Sequence, residues 1–292
     1  MEHLREQNMY VVTGATGQLG RLVVEGLLAA VPAEEIRVLV RDAAKVEEWA
    51  QRGVRVQEAD YGRPESLAGA FAAGDRVLLI SGNEFGHRVA QHGAVIDAAK
   101  AAGVALLAYT SVLAAPTATF RIAEEHQGTE ELLRASGVPF ALLRNGWYTE
   151  NYTAGAAASV EAGEVFGSSG AGRVATAPRR DYADAAVAVL TGEGHANRVY
   201  ELSGDADWSM DEYAAELAAA SGSPVVYRDV EPAEQVRRLV AAGLPEGFAE
   251  IFADTDAAIV KGQLALRTGD LARLIGRPTV PLAETVRTAL GA

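Results

Sequence analysis

The sequence contains no cysteine, which removes disulfides, thiolate nucleophiles and cysteine-based metal sites together. Lysine is scarce too: Lys45, Lys100 and Lys261 are the only three in 292 residues. No apolar run approaches the ~20 residues of a membrane span. Residues 1–8 are polar and lack the apolar stretch of a secretory signal. They read as a short disordered extension, and the cytoplasm is the expected compartment. Positive charge is in deficit, 26 Lys and Arg against 39 Asp and Glu. The resulting net charge of −13 repels nucleic-acid phosphates and anionic membranes, so neither is an expected partner. His87 and His92 are five apart, do not stack on one helical face and have no third ligand beside them. No metal is expected. What remains is an ordinary globular composition, 49% hydrophobic and 22% charged, with enough chain for a sizeable core.

The most informative stretch is Met9-Tyr10-Val11-Val12-Thr13-Gly14-Ala15-Thr16-Gly17-Gln18-Leu19-Gly20. A short apolar run enters a turn with glycines at Gly14, Gly17 and Gly20, and a helical pattern from Arg21 to Ala30 leaves it. A dinucleotide pyrophosphate needs that order. The first glycine allows the tight turn, the second lets backbone approach the phosphates, and the third lets helix and strand pack closely. The helix N-terminus adds free N–H groups and partial positive charge. Gly14, Ala15, Thr16, Gly17, Gln18, Leu19 and Gly20 are therefore candidate cofactor residues.

Strand-like runs recur at Tyr10–Thr13, Ile36–Val40, Val54–Glu58, Arg76–Ser81, Ala105–Tyr109 and Phe140–Leu143. Helical patterns near 18–30, 43–52, 65–73, 88–102 and 122–136 separate them. Apolar strands alternating with such helices predict an α/β fold, a Rossmann-like doubly wound parallel sheet covered on both faces. Asp42 stands where an N-cap belongs, Pro64 fits a first helical turn, and Gly103 and Gly137 stand where helices stop. After residue 150 the pattern loosens. Residues 164–177 read as a hairpin or loop, Asp181–Leu190 as a helix and Arg198–Leu202 as a strand rejoining the sheet. Ser209-Met210-Asp211-Glu212 is a capping box, and Val225–Val230 reads as a strand. Residues 1–150 are thus expected to form the nucleotide-binding domain, with 173–204 returning to it. Residues 151–292 form a smaller, mostly helical lobe.

The end of the second strand bears on the choice of dinucleotide. An NAD site places an acidic residue there to accept from the ribose 2′-OH. Here Arg41 follows Val38-Leu39-Val40, and Lys45 lies one helical turn beyond. Cations suit a 2′-phosphate, so NADP(H) is expected, with Asp42 as counter-evidence one residue away. Asp60 and Tyr61 follow the third strand, where they could meet the adenine. Ser81, Gly82 and Asn83 close the fourth, where small residues leave room for ribose and nicotinamide.

The first half looks like the short-chain dehydrogenase/reductase superfamily, yet its Tyr-x-x-x-Lys pair is missing. Four residues beyond Tyr109, Tyr148 and Tyr182 stand Leu113, Tyr152 and Ala186. The helix after the fifth strand offers His126 in Glu125-His126-Gln127-Gly128-Thr129-Glu130 instead of a lysine. The segments Thr13–Gly20, Val40-Arg41-Asp42, Ala59-Asp60-Tyr61, Ala108-Tyr109-Thr110-Ser111 and Leu142-Leu143-Arg144-Asn145-Gly146-Trp147-Tyr148 sharpen the likeness. In this order they resemble the atypical NmrA-like reductases, and within them the type 2 NAD(P)H:quinone oxidoreductases, near relatives of the triphenylmethane reductases. Val199-Tyr200-Glu201-Leu202 and Leu274–Thr279 extend the resemblance over nearly the whole chain. It implies a Rossmann-like domain holding NADP(H), with no flavin and no metal. It also implies a lobe that closes the substrate cleft.

Hydride chemistry explains how such an enzyme can lack the dyad. Adding hydride to a simple ketone leaves an alkoxide whose conjugate acid has pKa ~16, like water. Adding it to a quinone leaves a phenolate-like anion with a conjugate acid near ~10. The gap, roughly 6 units, is about 8 kcal/mol less charge stabilisation at ~1.36 kcal/mol per unit. Ser111, at the fifth strand, is a candidate donor to the acceptor oxygen, and Tyr109 and Thr110 are candidates to line the nicotinamide ribose. Asn145 could touch the carboxamide or the substrate. His126 could donate a proton, with an exposed helix histidine as the plainer alternative, and Tyr148 is a further catalytic candidate. Phe85, Trp147, Tyr148 and Tyr152 form a candidate aromatic wall for a flat acceptor. Arg179-Arg180-Asp181 reads as a solvated helix start. The expected partner is a small quinone-like substrate. A triphenylmethane or azo dye, an imine, an enone, or a non-catalytic redox sensor stands as the alternative, and a homo-oligomer stays open.

Overall fold

A computed structural model describes residues 8–292, so the expected N-terminal extension falls, for residues 1–7, outside the described residues. The strands are β1 (Tyr10–Thr13), β2 (Ile36–Val40), β3 (Arg55–Glu58), β4 (Arg76–Leu79), β5 (Leu106–Val112) and β6 (Phe140–Asn145). They continue with β7 (Glu164–Gly167), β8 (Arg173–Val174), β9 (Arg198–Leu202), β10 (Trp208–Ser209) and β11 (Val226–Asp229). Seven of them form one sheet in the order β3-β2-β1-β4-β5-β6-β9. The β1–β2, β1–β4, β2–β3 and β4–β5 pairs are parallel. Asn197 N donates to Phe140 O at one end and Gly146 N to Leu202 O at the other, so β9 runs alongside β6 in the same direction. The chain winds outward from β1 to β3 and then crosses back to β4. The order therefore reverses between β1 and β4, and ligands of open α/β sheets bind at the strand carboxyl ends beside such a reversal.

The helices are α1 (Gln18–Ala30), α2 (Glu47–Gln51), α3 (Arg88–Ala102), α4 (Arg121–Ser136), α5 (Glu150–Thr153), α6 (Ala156–Ala162) and α7 (Arg179–Thr191). They are followed by α8 (Met210–Ser221), α9 (Pro232–Ala241), α10 (Glu246–Val260), α11 (Asp270–Ile275) and α12 (Leu282–Leu290). On one sheet face Val11, Leu39, Val77, Leu79 and Leu107 pack with Val95, Ile96 and Ala99 of α3 and Leu133 of α4. Each such side chain gains about 1.5–3 kcal/mol on burial. Apolar residues on successive strand positions bury both faces, as a parallel sheet requires. A Cβ at Gly26 of α1 would sit 2.9 Å from Val187 Cγ2, so glycine lets α1 and α7 pack closely.

Several expectations need correction. The stretch 43–52 is a 3-10 turn, Ala43–Val46, followed by the short α2. The stretch 65–73 holds only a 3-10 turn, Pro64–Leu67, because Gly69 turns left-handed at φ +68°. Residues 164–177 are not a hairpin: β7 pairs in parallel with β11, and β8 pairs antiparallel with β10. The Arg179-Arg180-Asp181 start is solvated at Arg180 but not at Asp181. Asp181 is fully buried, 2.7 Å from Arg277 Nη2, and accepts from Val280 N. Gly103 and Gly137 do turn left-handed, at φ +74° and +78°. Ser209 and Glu212 form both bonds of the capping box.

The chain divides into two compact units. The first takes Met1–Val112, Glu125–Arg144 and Tyr182–Tyr200, and carries most of the sheet. The second takes Leu113–Glu124, Asn145–Asp181 and Glu201–Ala292. Within it, α9 packs on α10 and α8 on α12.

Candidate active site

The glycine turn has the geometry its spacing predicts. Gly14 is left-handed at φ +61°, and Gly17 N donates to Gly14 O at 3.1 Å. A Cβ at Gly20 would lie 2.5 Å from Gly14 O and 2.7 Å from Ala15 Cα, so no larger residue fits. Gly17 is the N-cap of α1 and brings no side-chain cap, and the first turn holds no acid. The first N–H groups of α1 therefore have no capping side chain and no repelling carboxylate before them. This backbone fits an anion.

The cations beside the turn are already engaged. Arg41 Nη1 donates to Glu84 Oε1 at 3.2 Å, and Glu84 Oε2 accepts from Gln91 Nε2 at 2.7 Å. Lys45 Nζ lies 3.9 Å from Asp42 Oδ2, while Asp42 Oδ1 caps Ala44 N at 3.1 Å. Both Asp42 oxygens thus serve the local turn. Asp60 Oδ1 accepts from Gly62 N at 2.9 Å. The Tyr61 hydroxyl donates to Thr13 Oγ1 and lies 3.2 Å from Ile80 O. It ties β1 to the end of β4, and burial holds it in the protonated form by raising its pKa.

Behind the end of β4 stands His92, a residue the sequence reading set aside. Its Nε2 accepts from Gly82 N at 3.0 Å, and its Nδ1 lies 2.9 Å from Thr129 Oγ1. Thr129 Oγ1 donates to Glu125 O, so His92 carries its proton on Nδ1 and is neutral. Burial, aided by the Arg88 charge, pushes its pKa down to about 3. The Ser81-Gly82-Asn83 loop is thus pinned by a fixed imidazole. Thr110 Oγ1 takes Ser81 N at 2.9 Å on the same loop.

Helix α4 lies over β5 in register. Tyr109 and Ser111, two apart on the strand, meet His126 and Glu130, four apart on the helix. Tyr109 Oη is 2.7 Å from His126 Nδ1, and Ser111 Oγ donates to Glu130 Oε1 at 2.6 Å. Arg144 of β6 grips Glu130 with two bonds, at 2.8 and 2.6 Å. His126 Nε2 accepts from Arg88 Nη2 at 2.8 Å. Arg88 also lies 3.5 Å from Glu125 and 5.5 Å over the Phe85 ring. All of Arg88, Tyr109, Ser111, His126, Glu130 and Arg144 are buried.

This arrangement corrects three expectations. His126 is neither exposed nor an acid, since burial and then the Arg88 charge hold its pKa well below the usual value. Ser111 points its one proton at Glu130 rather than at an acceptor oxygen. The Tyr109 side chain belongs to the packed network and does not reach toward a ribose. Arg88, Glu130 and Arg144 were missed because buried charges look in sequence like ordinary surface charges. The one legible signal was spacing: residues i and i+4 on α4 over i and i+2 on β5.

In the second unit, Asn145 Nδ2 donates to Tyr148 Oη at 3.3 Å, while the buried Asn145 Oδ1 has no partner among the described residues. An orphaned buried carbonyl loses its hydration without recompense, so it fits an N–H donor such as a carboxamide. Tyr148 lies under the Arg179 guanidinium at 4.8 Å, and burial raises its pKa. The expected aromatic wall is distributed. Trp147 meets Phe252 edge-on at 6.3 Å, and Tyr152 meets Trp208 at 4.9 Å and Tyr213 at 6.0 Å. Phe85, in the first unit, is 40% exposed. No cluster of side chains suited to a metal exists among the described residues.

Comparison with known proteins agrees with these features. The model of a family described as NAD(P)H-binding matches residues 14–193. Quinone oxidoreductase 2 of Escherichia coli (strain K12) is 46% identical over 278 residues, 95% of this chain and 97% of that protein. The crystal structure of the NADPH-dependent quinone oxidoreductase from Escherichia coli, complexed with NADPH, superposes with a TM-score of 0.93 over 97% of this chain and all of that one, at 46% identity. The triphenylmethane reductase of a Citrobacter species gives a TM-score of 0.93 at 41% identity, covering 97% and 100% of the two chains.

Proposed function

The chain belongs to the NAD(P)H-binding family, and from that premise we propose that it is an NADPH-dependent reductase of quinones. The observation that carries this reading is the uncapped, acid-free N-terminus of α1 at Gly17, with Arg41 and Lys45 beside the same turn. When bound, NADPH supplies a hydride from its nicotinamide ring. The backbone of Gly14–Gly20 binds the pyrophosphate, and Arg41 and Lys45 bind the 2′-phosphate. Asp60, Tyr61, Ser81, Gly82, Asn83 and the Thr110 backbone line the nucleoside portions. Asn145 Oδ1, without a partner among the described residues, is a candidate acceptor for a carboxamide N–H. Within the second unit Trp147, Tyr148 and Tyr152 contact a flat acceptor, and Tyr148 is the remaining candidate for a proton donor.

The buried groups favour an acceptor that needs little acid help. His126 is neutral and Ser111 is committed to Glu130, so neither supplies a strong acid. A quinone meets that condition, because the anion left by hydride transfer is phenolate-like. A cationic triphenylmethane dye meets it too, since hydride addition to it creates no anion, and the likeness to the Citrobacter enzyme favours it as second substrate class. We propose that the chain needs neither flavin nor metal and acts in the cytoplasm. The test is NADPH oxidation by purified protein, monitored as benzoquinones, naphthoquinones and a triphenylmethane dye are added in turn. Turnover with quinones, without added flavin, is expected. Tight NADPH binding with no turnover on any acceptor would leave a sensor instead.

A further inference from the structure

Arg41 follows β2 directly, and Glu84 lies in the loop that leads from β4 to α3. In the sheet, β1 stands between β2 and β4. Neighbouring strands are about 4.8 Å apart, so the flanking strands are about 10 Å apart. The Arg41–Glu84 bond therefore arches over the carboxyl end of β1, where the glycine turn begins. It is partly solvated, with side-chain exposures of 66% and 47%. Gln91 of α3 holds the second Glu84 oxygen, which aims the first at Arg41. The same loop is anchored at its far end, where Gly86 N donates to Glu125 at 2.9 Å and His87 N to Glu84 O at 3.1 Å.

We propose that Glu84 sets the cofactor preference by competing with the 2′-phosphate for Arg41. This rests on the reading of the turn as an NADPH site. A guanidinium prefers a bidentate phosphate to a single carboxylate oxygen. NADPH therefore exchanges one anion for another on Arg41 and releases Glu84 from the clasp. NADH carries no 2′-phosphate and leaves the clasp closed. Part of the 2′-phosphate's binding energy is consumed in opening it. Glu84 thereby moderates the preference for NADPH that Arg41 creates.

The experiment is calorimetric titration of NADP+ and NAD+ into wild type, Glu84→Gln, Arg41→Ala and the double variant at low ionic strength. Glutamine keeps the shape and the contact with Gln91 but removes the charge. An exposed ion pair implies that Glu84→Gln lowers the NADP+ Kd about two- to fivefold. The NAD+ Kd is expected to stay within error, and the gain to vanish in the Arg41→Ala background and at high salt. An equal shift for both cofactors, a weaker NADP+ affinity, or a gain that persists without Arg41 overturns the proposal. If wild type binds neither dinucleotide, the underlying reading fails as well. If it binds NADP+ in an Arg41-dependent way that Glu84→Gln leaves unchanged, only the clasp fails.

Discussion

The glycine turn and the polar network under helix α4 lie in the same unit and are built by opposite means. The turn offers backbone. Its working groups are the free N–H ends of α1, and its side chains are absent by necessity, since Gly20 has no room for a Cβ. The network offers side chains in the interior, as two neighbouring triads: Arg88–His126–Tyr109 and Ser111–Glu130–Arg144. A backbone site tolerates almost any neighbour but no change of shape. A side-chain network tolerates small changes of shape but no loss of a charge. The difference also separates the proposed roles: the turn is the proposed binding element, while the network ties β5, α3, α4 and β6 to one another.

The largest effect is expected in the network. Glu130→Ala leaves Arg144 buried without its bidentate partner, and such losses cost about 3–5 kcal/mol. Urea unfolding should show that drop, whereas Arg134→Ala, which removes the outer 3.5 Å contact to the same glutamate, should cost less than about 1 kcal/mol. Equal losses would mean that Glu130 is solvated and the network is not a unit. Next comes the turn. Gly20→Ala forces a Cβ to 2.5 Å from a backbone carbonyl, a strain of about 1–3 kcal/mol. On the proposed reading of the turn as the cofactor's cradle, NADP+ affinity should fall about five- to a hundredfold. A stable variant with unchanged affinity would break the comparison, since binding would then not depend on the turn's shape.

The sequence displayed these regions unequally. A phosphate turn is local: three glycines, a strand before and a helix after, all within Tyr10–Ala30. Its spacing was therefore readable, as were the succession of strands along the chain and the Ser209–Glu212 box. The network joins residues 88, 109, 111, 126, 130 and 144 across four elements, α3, β5, α4 and β6. No local pattern distinguishes a buried Glu130 from the exposed Glu131 beside it. The error over Asp181 has the same source, because its partners Arg277 and Val280 lie almost a hundred residues away. The Pro64–Leu67 region failed for another reason: helical periodicity was present, but Gly69 at positive φ interrupts it.

A pH titration sharpens the comparison, because two buried histidines, His92 behind the end of β4 and His126 in the network, have depressed pKa values. His92 has a folded pKa of about 3 against 6.5 in the unfolded chain. Above pH 6.5 it is neutral in both states and contributes no pH dependence. As pH falls from 6.5 toward 3, the unfolded chain takes up a proton that the folded imidazole refuses. Stability is then lost at about 1.4 kcal/mol per pH unit, or about 2 kcal/mol by pH 5. His126, depressed in the same direction, adds to the slope. Unfolding midpoints of wild type and His92→Gln between pH 7 and pH 5 measure this. The variant should be less stable at pH 7 and flatter in its pH dependence. Parallel curves would place the His92 proton elsewhere.

The smallest effect tests whether the network takes any part in chemistry. Ser111 on β5 was a candidate donor to an acceptor oxygen, yet its hydroxyl donates to Glu130. Glu130 keeps both Arg144 bonds when that hydroxyl is lost, so Ser111→Ala should cost only about 1 kcal/mol of stability. The kinetic consequence separates the roles. A hydroxyl that donates to charge developing on the acceptor is worth about a hundredfold or more in kcat. A hydroxyl that merely satisfies Glu130 is worth a few-fold at most, through small shifts of β5. With a benzoquinone as acceptor, a kcat within about threefold of wild type and an unchanged KM for NADPH fit a scaffolding serine. A loss of about a hundredfold, with stability intact, would mean that Ser111 turns from Glu130 during turnover. The boundary between the binding turn and the supporting network would then run through this residue.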